Sequence, residues 1–238
     1  MTHDRPLSSV PAWLWLLLAV ALALQVAWQT RVPGRTLEAE DLPPAPTAAA
    51  LRLATLGEPE AGARLAMLYL QSFDLRGGND TPYQRLDYAR LIGWLRALLE
   101  LDPRGQYPLF AAARIYAEVP DSARSRRVLE FVHEAFLDDP DRRWPWLAHA
   151  ALLAKHRLGD LPLARRYAAA VQRHARSPAV PLWARQMEVF ILEDMGELEA
   201  ASIMLGGLLE TGAIHDPGEL RFLRERLDEL EQRARTAK

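Results

Sequence analysis

The sequence predicts an all-α protein in two unequal parts, one N-terminal apolar helix and a long array of helical hairpins. Three observations lead there. No charged residue lies between Arg5 and Arg31. Asp-Pro or Ser-Pro steps recur at 102–103, 139–140, 177–178 and 216–217. Midway between them fall Pro120-Asp121, Gly159-Asp160 and Gly196-Glu197. An acid or serine before proline is kept out of the helical basin and ends one helix, and a glycine followed by an acid ends another and starts the next.

The apolar helix comes first. From Val10 to Trp28 the only strongly polar residue is Gln25, and about 20 helical residues span the hydrocarbon core of a bilayer. Trp13, Trp15 and Trp28 stand near the ends of the run, where indole rings favour the headgroup layer. Residues 10–30 are therefore expected to form a transmembrane anchor, preceded by a short tail over 1–9. The rival reading is a signal peptide cleaved after the small-x-small step Ala21-Leu22-Ala23, but the apolar run continues beyond it. Arg5 on one side and Arg31 and Arg35 on the other nearly balance the positive-inside rule. A short leader, one anchor and a large following domain is a signal-anchor layout, which favours a domain outside the cytoplasm. The 27 arginines against two lysines suit a GC-rich bacterial genome. The expected location is thus a bacterial inner membrane, with the domain on the periplasmic side. Residues 31–46 hold four prolines and no apolar periodicity, so they read as a semi-extended linker.

Helix signals dominate after Thr47. A short helix is expected at 47–56, ended by Gly57, then a pair at 59–73 and 83–101 separated by a turn-rich stretch over 74–82. First helices follow at 107–118, 144–158 and 181–195, opened near Pro108, Pro145 and Pro181. Second helices fall at 121–137, 161–176 and 197–211. The last segment, 217–238, is charged and amphipathic, with Leu220, Leu223, Leu227 and Leu230 on one stripe, and is expected to cap the array.

The phrases LLELDPRGQYPLFAAARIYAEV (98–119) and RLGDLPLARRYAAAV (157–171) resemble tetratricopeptide repeats. Tyr116, Gly159, Ala164, Gly196 and Ala201 stand where that family prefers Tyr, Gly and Ala. Leu152 and Val189 replace its small mid-helix residue, and the 37–39-residue spacing exceeds its usual period of about 34. The resemblance implies a TPR-like α-solenoid over 47–216 whose first helices line a concave groove. The blocks at 99–121 and 139–164 also resemble a group of proteobacterial membrane-anchored repeat proteins that carries no assigned biochemical activity.

Composition and motifs narrow the function. The 238 residues contain no cysteine, which excludes thiol catalysis, disulfides and cysteine-ligated metals. A net charge of −2 gives no reason to expect nucleic acid as a partner. His133-Glu134 lacks the second histidine of a zincin, with Leu137 in its place. His149 and His156 lie two turns apart, too far to share one ion. No phosphate loop or nucleophile elbow is present. No catalytic residue, metal or cofactor is therefore expected.

The remaining candidates are residues that repeat. Tyr107, Trp146 and Trp183 recur at intervals of 39 and 37. The resemblance extends each into a groove position set: Tyr107, Phe110 and Arg114; Trp146, His149 and His156; Trp183, Gln186 and Glu193. An alternative role for these aromatics is packing between hairpins. Residues 103–185 carry a balance of +6 and 186–238 one of −6. Within the basic stretch over 124–176, Arg126, Arg127, Arg142, Arg143, Arg165 and Arg166 are candidates for a rim that meets an acidic partner or an anionic surface. Their alternative is pairing with neighbouring repeats. The combined expectation is a non-enzymatic, membrane-tethered scaffold that holds a protein or peptide and assists assembly of an envelope complex. The alternative is a cleaved-signal periplasmic protein with a hydrolytic activity.

Overall fold

A computed structural model describes residues 11–31, 42–73, 86–210, 212, 214 and 216–236, with the backbone alone at 12 and 29–31. Among the described residues there are eleven α-helices, one 3-10 turn and no strand. The chain divides into two units, Met1–Glu40 and Asp41–Lys238.

The first unit contains α1, Ala12–Arg31, 20 residues long. Every described side chain on it, from Trp13 to Trp28, is exposed. Among the described residues no helix is long and apolar enough to cross a membrane. The anchor expected over 10–30 begins and ends on residues whose side chains lie outside the described set, as do the tail over 1–9 and most of the linker.

The second unit starts earlier than the linker reading allowed. Leu42 is buried, Arg90 Nη1 donates to its carbonyl at 2.8 Å, and Trp94 Nε1 donates to the Pro43 carbonyl at 2.9 Å. Residues 42–46 are thus part of the helical unit, not of a free tether over 31–46. The elements that follow are α2 Ala48–Ala54, α3 Pro59–Ser72, α4 Tyr88–Leu101, α5 Tyr107–Arg114, the 3-10 turn Tyr116–Glu118, α6 Ser122–Asp138, α7 Pro140–His156, α8 Leu161–His174, α9 Leu182–Asp194, α10 Leu198–Glu210 and α11 Pro217–Thr236. The turn expected at 74–82 lies outside the described residues.

Local chemistry sets most of these bounds. Asp87, Asp121 and Asp160 cap α4, α6 and α8, their carboxylates accepting backbone N–H bonds that the first helical turn leaves open. Those backbone bonds, to Arg124 in one case and Leu163 in the other, hold the Asp121 and Asp160 carboxyls below their usual pKa. Gly196, at φ +78°, ends α9 by letting the Glu197 N–H reach back to the Leu192 carbonyl at 2.9 Å.

The start of α7 differs from the expected position 144. Pro140 occupies the first helical position, where no N–H is needed, and the Asp139 carbonyl accepts from the Arg142 and Arg143 amides. Pro145 consequently lies inside the helix, at the cost of one backbone bond.

Consecutive helices pack in series as hairpins α3–α4, α5–α6, α7–α8 and α9–α10, with α11 against α10. The longest core cluster runs from Leu42 to Ile191. A second joins α9, α10 and α11 through Val189, Leu192, Ala201, Leu205, Ile214, Leu223 and Leu230. Leu220 and Leu227 pack against it, so the leucine stripe of α11 closes this end of the array. Helices α7 and α8 pack on each other; α7 buries Ala148, Ala150, Ala151 and Ala154, and α8 buries Ala164, Ala168, Ala169 and Ala170.

Candidate functional site: an aromatic cleft on the first helices

Helix α5 presents Phe110 and Arg114, α7 presents Trp144, Trp146, His149 and Leu152, and α9 presents Trp183. Together with Pro145 and Ala148 they line one open cleft of about 400 Å³. Two residues apart on a helix point to opposite flanks, so the tryptophans around Pro145 diverge. Trp146 turns towards α5 and meets Phe110 edge-on at 5.7 Å between ring centroids. Trp144 turns towards α9 and meets Trp183 edge-on at 5.6 Å. An edge-on contact covers only one face of one ring in the pair, and Trp183 is 52% exposed.

Polar groups fix the first part of this row. Tyr107 stacks on Phe110 at 5.9 Å, and its hydroxyl accepts from Gln71 Nε2 at 2.8 Å. Trp146 Nε1 donates to Gln106 Oε1 at 2.7 Å. Arg114 Nη1 lies 3.4 Å from His149 Nδ1. Because a guanidinium can only donate, Nδ1 is the acceptor and the ring proton sits on Nε2. Nε2 is buried with no hydrogen-bond partner, 3.9 Å from Glu118 Oε1. Burial first, and the adjacent Arg114 second, push the His149 pKa down, which keeps the ring neutral at neutral pH. Arg114 makes no ion pair among the described residues, so it is the one permanent charge on the cleft wall.

Of the nine groove candidates, the structure brings Phe110, Arg114, Trp146, His149 and Trp183 to this cleft, with Tyr107 stacked beside it. It places three elsewhere. His156 is exposed at the end of α7. Gln186 is buried, and its Nε2 donates to Glu219 Oε1 at 3.3 Å. Glu193 accepts from Arg226 and Arg233 of α11. Burial opposes its charge, but these two guanidinium bonds outweigh that and hold the carboxyl below its usual pKa. Gln186 and Glu193 are therefore corrections: α11 covers their face of α9. Trp144 and Leu152 were missed as groove residues, because a helix opening at 144 puts Trp144 in its first turn and leaves its flank unassigned. The WPW sequence was the available signal.

The arginine rim also needs correction. Arg143 is buried, donating to the Ala135 carbonyl at 2.6 Å and the Pro103 carbonyl at 3.0 Å. Arg126 pairs with Asp160, Arg142 with Asp139, Arg165 with Glu188 and Arg166 with Glu130. Arg127 is exposed. Five of the six are thus engaged inside the array and do not form a free cationic rim.

Among the described residues, no three His, Asp or Glu side chains are grouped to hold a metal ion. His133 packs its ring on Tyr167 at 5.3 Å, and Glu134 pairs with Arg96. Compared with known protein families, characterised proteins and solved structures, the chain matches none.

Proposed function

We propose that the protein is a membrane-tethered, TPR-like adaptor. It holds a segment of a partner protein in the cleft formed by α5, α7 and α9, and it assists assembly of an envelope complex. The observation that carries this reading is the row of partly exposed rings Phe110, Trp146, Trp144 and Trp183 along three successive first helices. Aromatic side chains in a concave, partly dry site are the usual anchors of protein recognition. A fitting segment offers a large apolar side chain and an acceptor for Arg114. The cleft wall includes no Ser, Thr, Asp or Glu, which argues for binding over the hydrolytic alternative.

Helix α1 serves as the anchor in this reading. Its row of exposed leucines and tryptophans is costly in water and favourable in lipid. Confinement to one membrane then raises the effective concentration of the partner. The inner-membrane location and periplasmic side belong to the same proposal.

A photo-reactive residue at Leu152 in the full chain, crosslinked in intact bacterial membranes, tests it. One discrete crosslinked partner is expected, reduced about tenfold or more in the Trp144→Ala, Trp183→Ala variant, with the helical circular dichroism retained. Equal crosslinking in that variant would remove the cleft from the function.

A further inference from the structure

Helices α2 and α3 leave leucine in solvent at the end of the array opposite α11. Leu53, Leu56, Leu65 and Leu68 are 80%, 92%, 68% and 63% exposed. Helix α3 buries Ala63, Met67 and Leu70, and Leu65 and Leu68 lie on its other side. Leu56 stands at φ +50° in the turn after α2, a left-handed conformation that a leucine side chain disfavours. Among the described residues nothing buries that side chain in return. The same turn is pressed onto α3: a Cβ on Gly62 would collide with Thr55 Cγ2. Leu65 follows Gly62 by one helical turn, so Leu56 and Leu65 lie along one side of the α2–α3 pair. Arg64 is exposed beside them, with its nearest carboxylate, Glu60, at 4.0 Å.

Chain connectivity says what meets this face. Ten residues, 32–41, join the end of α1 to Leu42, which is pinned to α4. Fully extended, they span about 35 Å at most. With α1 in a bilayer, as proposed above, the chain allows Leu42 to lie no farther than that from the end of α1. Leucines with a neighbouring arginine are suited to the boundary between acyl chains and headgroups, where the cation stays at headgroup level.

We infer that Leu53, Leu56, Leu65 and Leu68 form a lipid-contacting face that rests in the interfacial layer of the bilayer holding α1. The array then has two membrane attachments, α1 and the leucine face of α2 and α3. This inference rests on the anchor reading of α1.

The absence of native cysteine allows a direct test in the full chain. Single substitutions Leu56→Cys, Leu65→Cys and Leu68→Cys, with Ile203→Cys and Phe222→Cys as exposed controls, are labelled with an environment-sensitive fluorophore. The protein is reconstituted into phosphatidylcholine and phosphatidylglycerol vesicles containing a lipid-borne quencher. Labels at 56, 65 and 68 are expected to be quenched about twofold or more beyond those at 203 and 222. The Leu65→Ser, Leu68→Ser pair, substituted at exposed sites, should abolish the extra quenching at 56. If the chain resists carbonate extraction while all labels stay equally water-accessible, the lipid-contacting face is refuted and the anchor stands. If carbonate strips the chain from the vesicles, the anchor reading fails and this inference fails with it. Shielding that needs no lipid and grows with protein concentration would assign the face to a second copy and overturn the proposal.

Discussion

The two sides of the array are joined by different chemistry. Between second helices the links are charges: Arg96 of α4 donates to Glu134 of α6 at 2.7 Å, Glu130 of α6 takes both Arg166 and the Tyr167 hydroxyl of α8, and Arg126 reaches Asp160 at the start of α8. Between first helices the links are rings, Phe110 to Trp146 and Trp144 to Trp183. A guanidinium that already holds a carboxylate has little left for an outside ligand. In an edge-on pair at least one ring keeps both faces for one. The first-helix side is therefore the better candidate for recognition, although the arginines are more numerous.

The largest expected effect comes from the buried arginine of the first helix α7. Arg143→Ala removes the donor to the Ala135 carbonyl of α6 and to the Pro103 carbonyl between α4 and α5, and should cost about 3 kcal/mol in chemical denaturation. A loss under about 1 kcal/mol would show that this guanidinium is dispensable to the fold. Next comes the closure of α11. The Glu193 pKa is lower folded than unfolded, so its contribution is present above the unfolded value and disappears as pH falls through the folded one, below the ordinary glutamate range of about 4. Amide protection in 217–236, taken relative to the intrinsic exchange rate at each pH, should therefore fall as the pH drops below the ordinary glutamate range, ahead of α7 and α8. Glu193→Gln should produce the same opening at neutral pH, at about 1–2 kcal/mol. Simultaneous exchange in all helices would deny α11 a separate role. The smallest effect belongs to the exposed pair Arg96 and Glu134, whose side chains are 54% and 56% accessible. A double-mutant cycle there should read about 0.5 kcal/mol and shrink with salt.

Punctuation made much of this arrangement legible beforehand. Asp121 and Asp160 are helix caps where the acid steps stood, and Leu220, Leu223, Leu227 and Leu230 do pack inward. Position 140 was misread because two prolines, Pro140 and Pro145, compete to open one helix. The choice depends on the Asp139 carbonyl, which local sequence does not reveal. Gln186 and Glu193 have the right spacing for a groove on α9, but only tertiary packing shows that α11 lies over them. The fate of the arginines was equally hidden. Their partners Glu130, Asp160 and Glu188 come from other helices, and a charge count by segment cannot distinguish a free cation from a paired one.

The buried alanines of α7 and α8 have a consequence for how this protein can change. A methyl group leaves almost nothing to delete, so truncation at Ala151 or Ala168 creates no appreciable void. Any larger residue must instead force two backbones apart. At these alanine positions the array can therefore be damaged only by addition. Sequence variation there should be confined to very small side chains, while the ring positions on the adjoining face of α7 remain free to diversify without disturbing the seam beneath them.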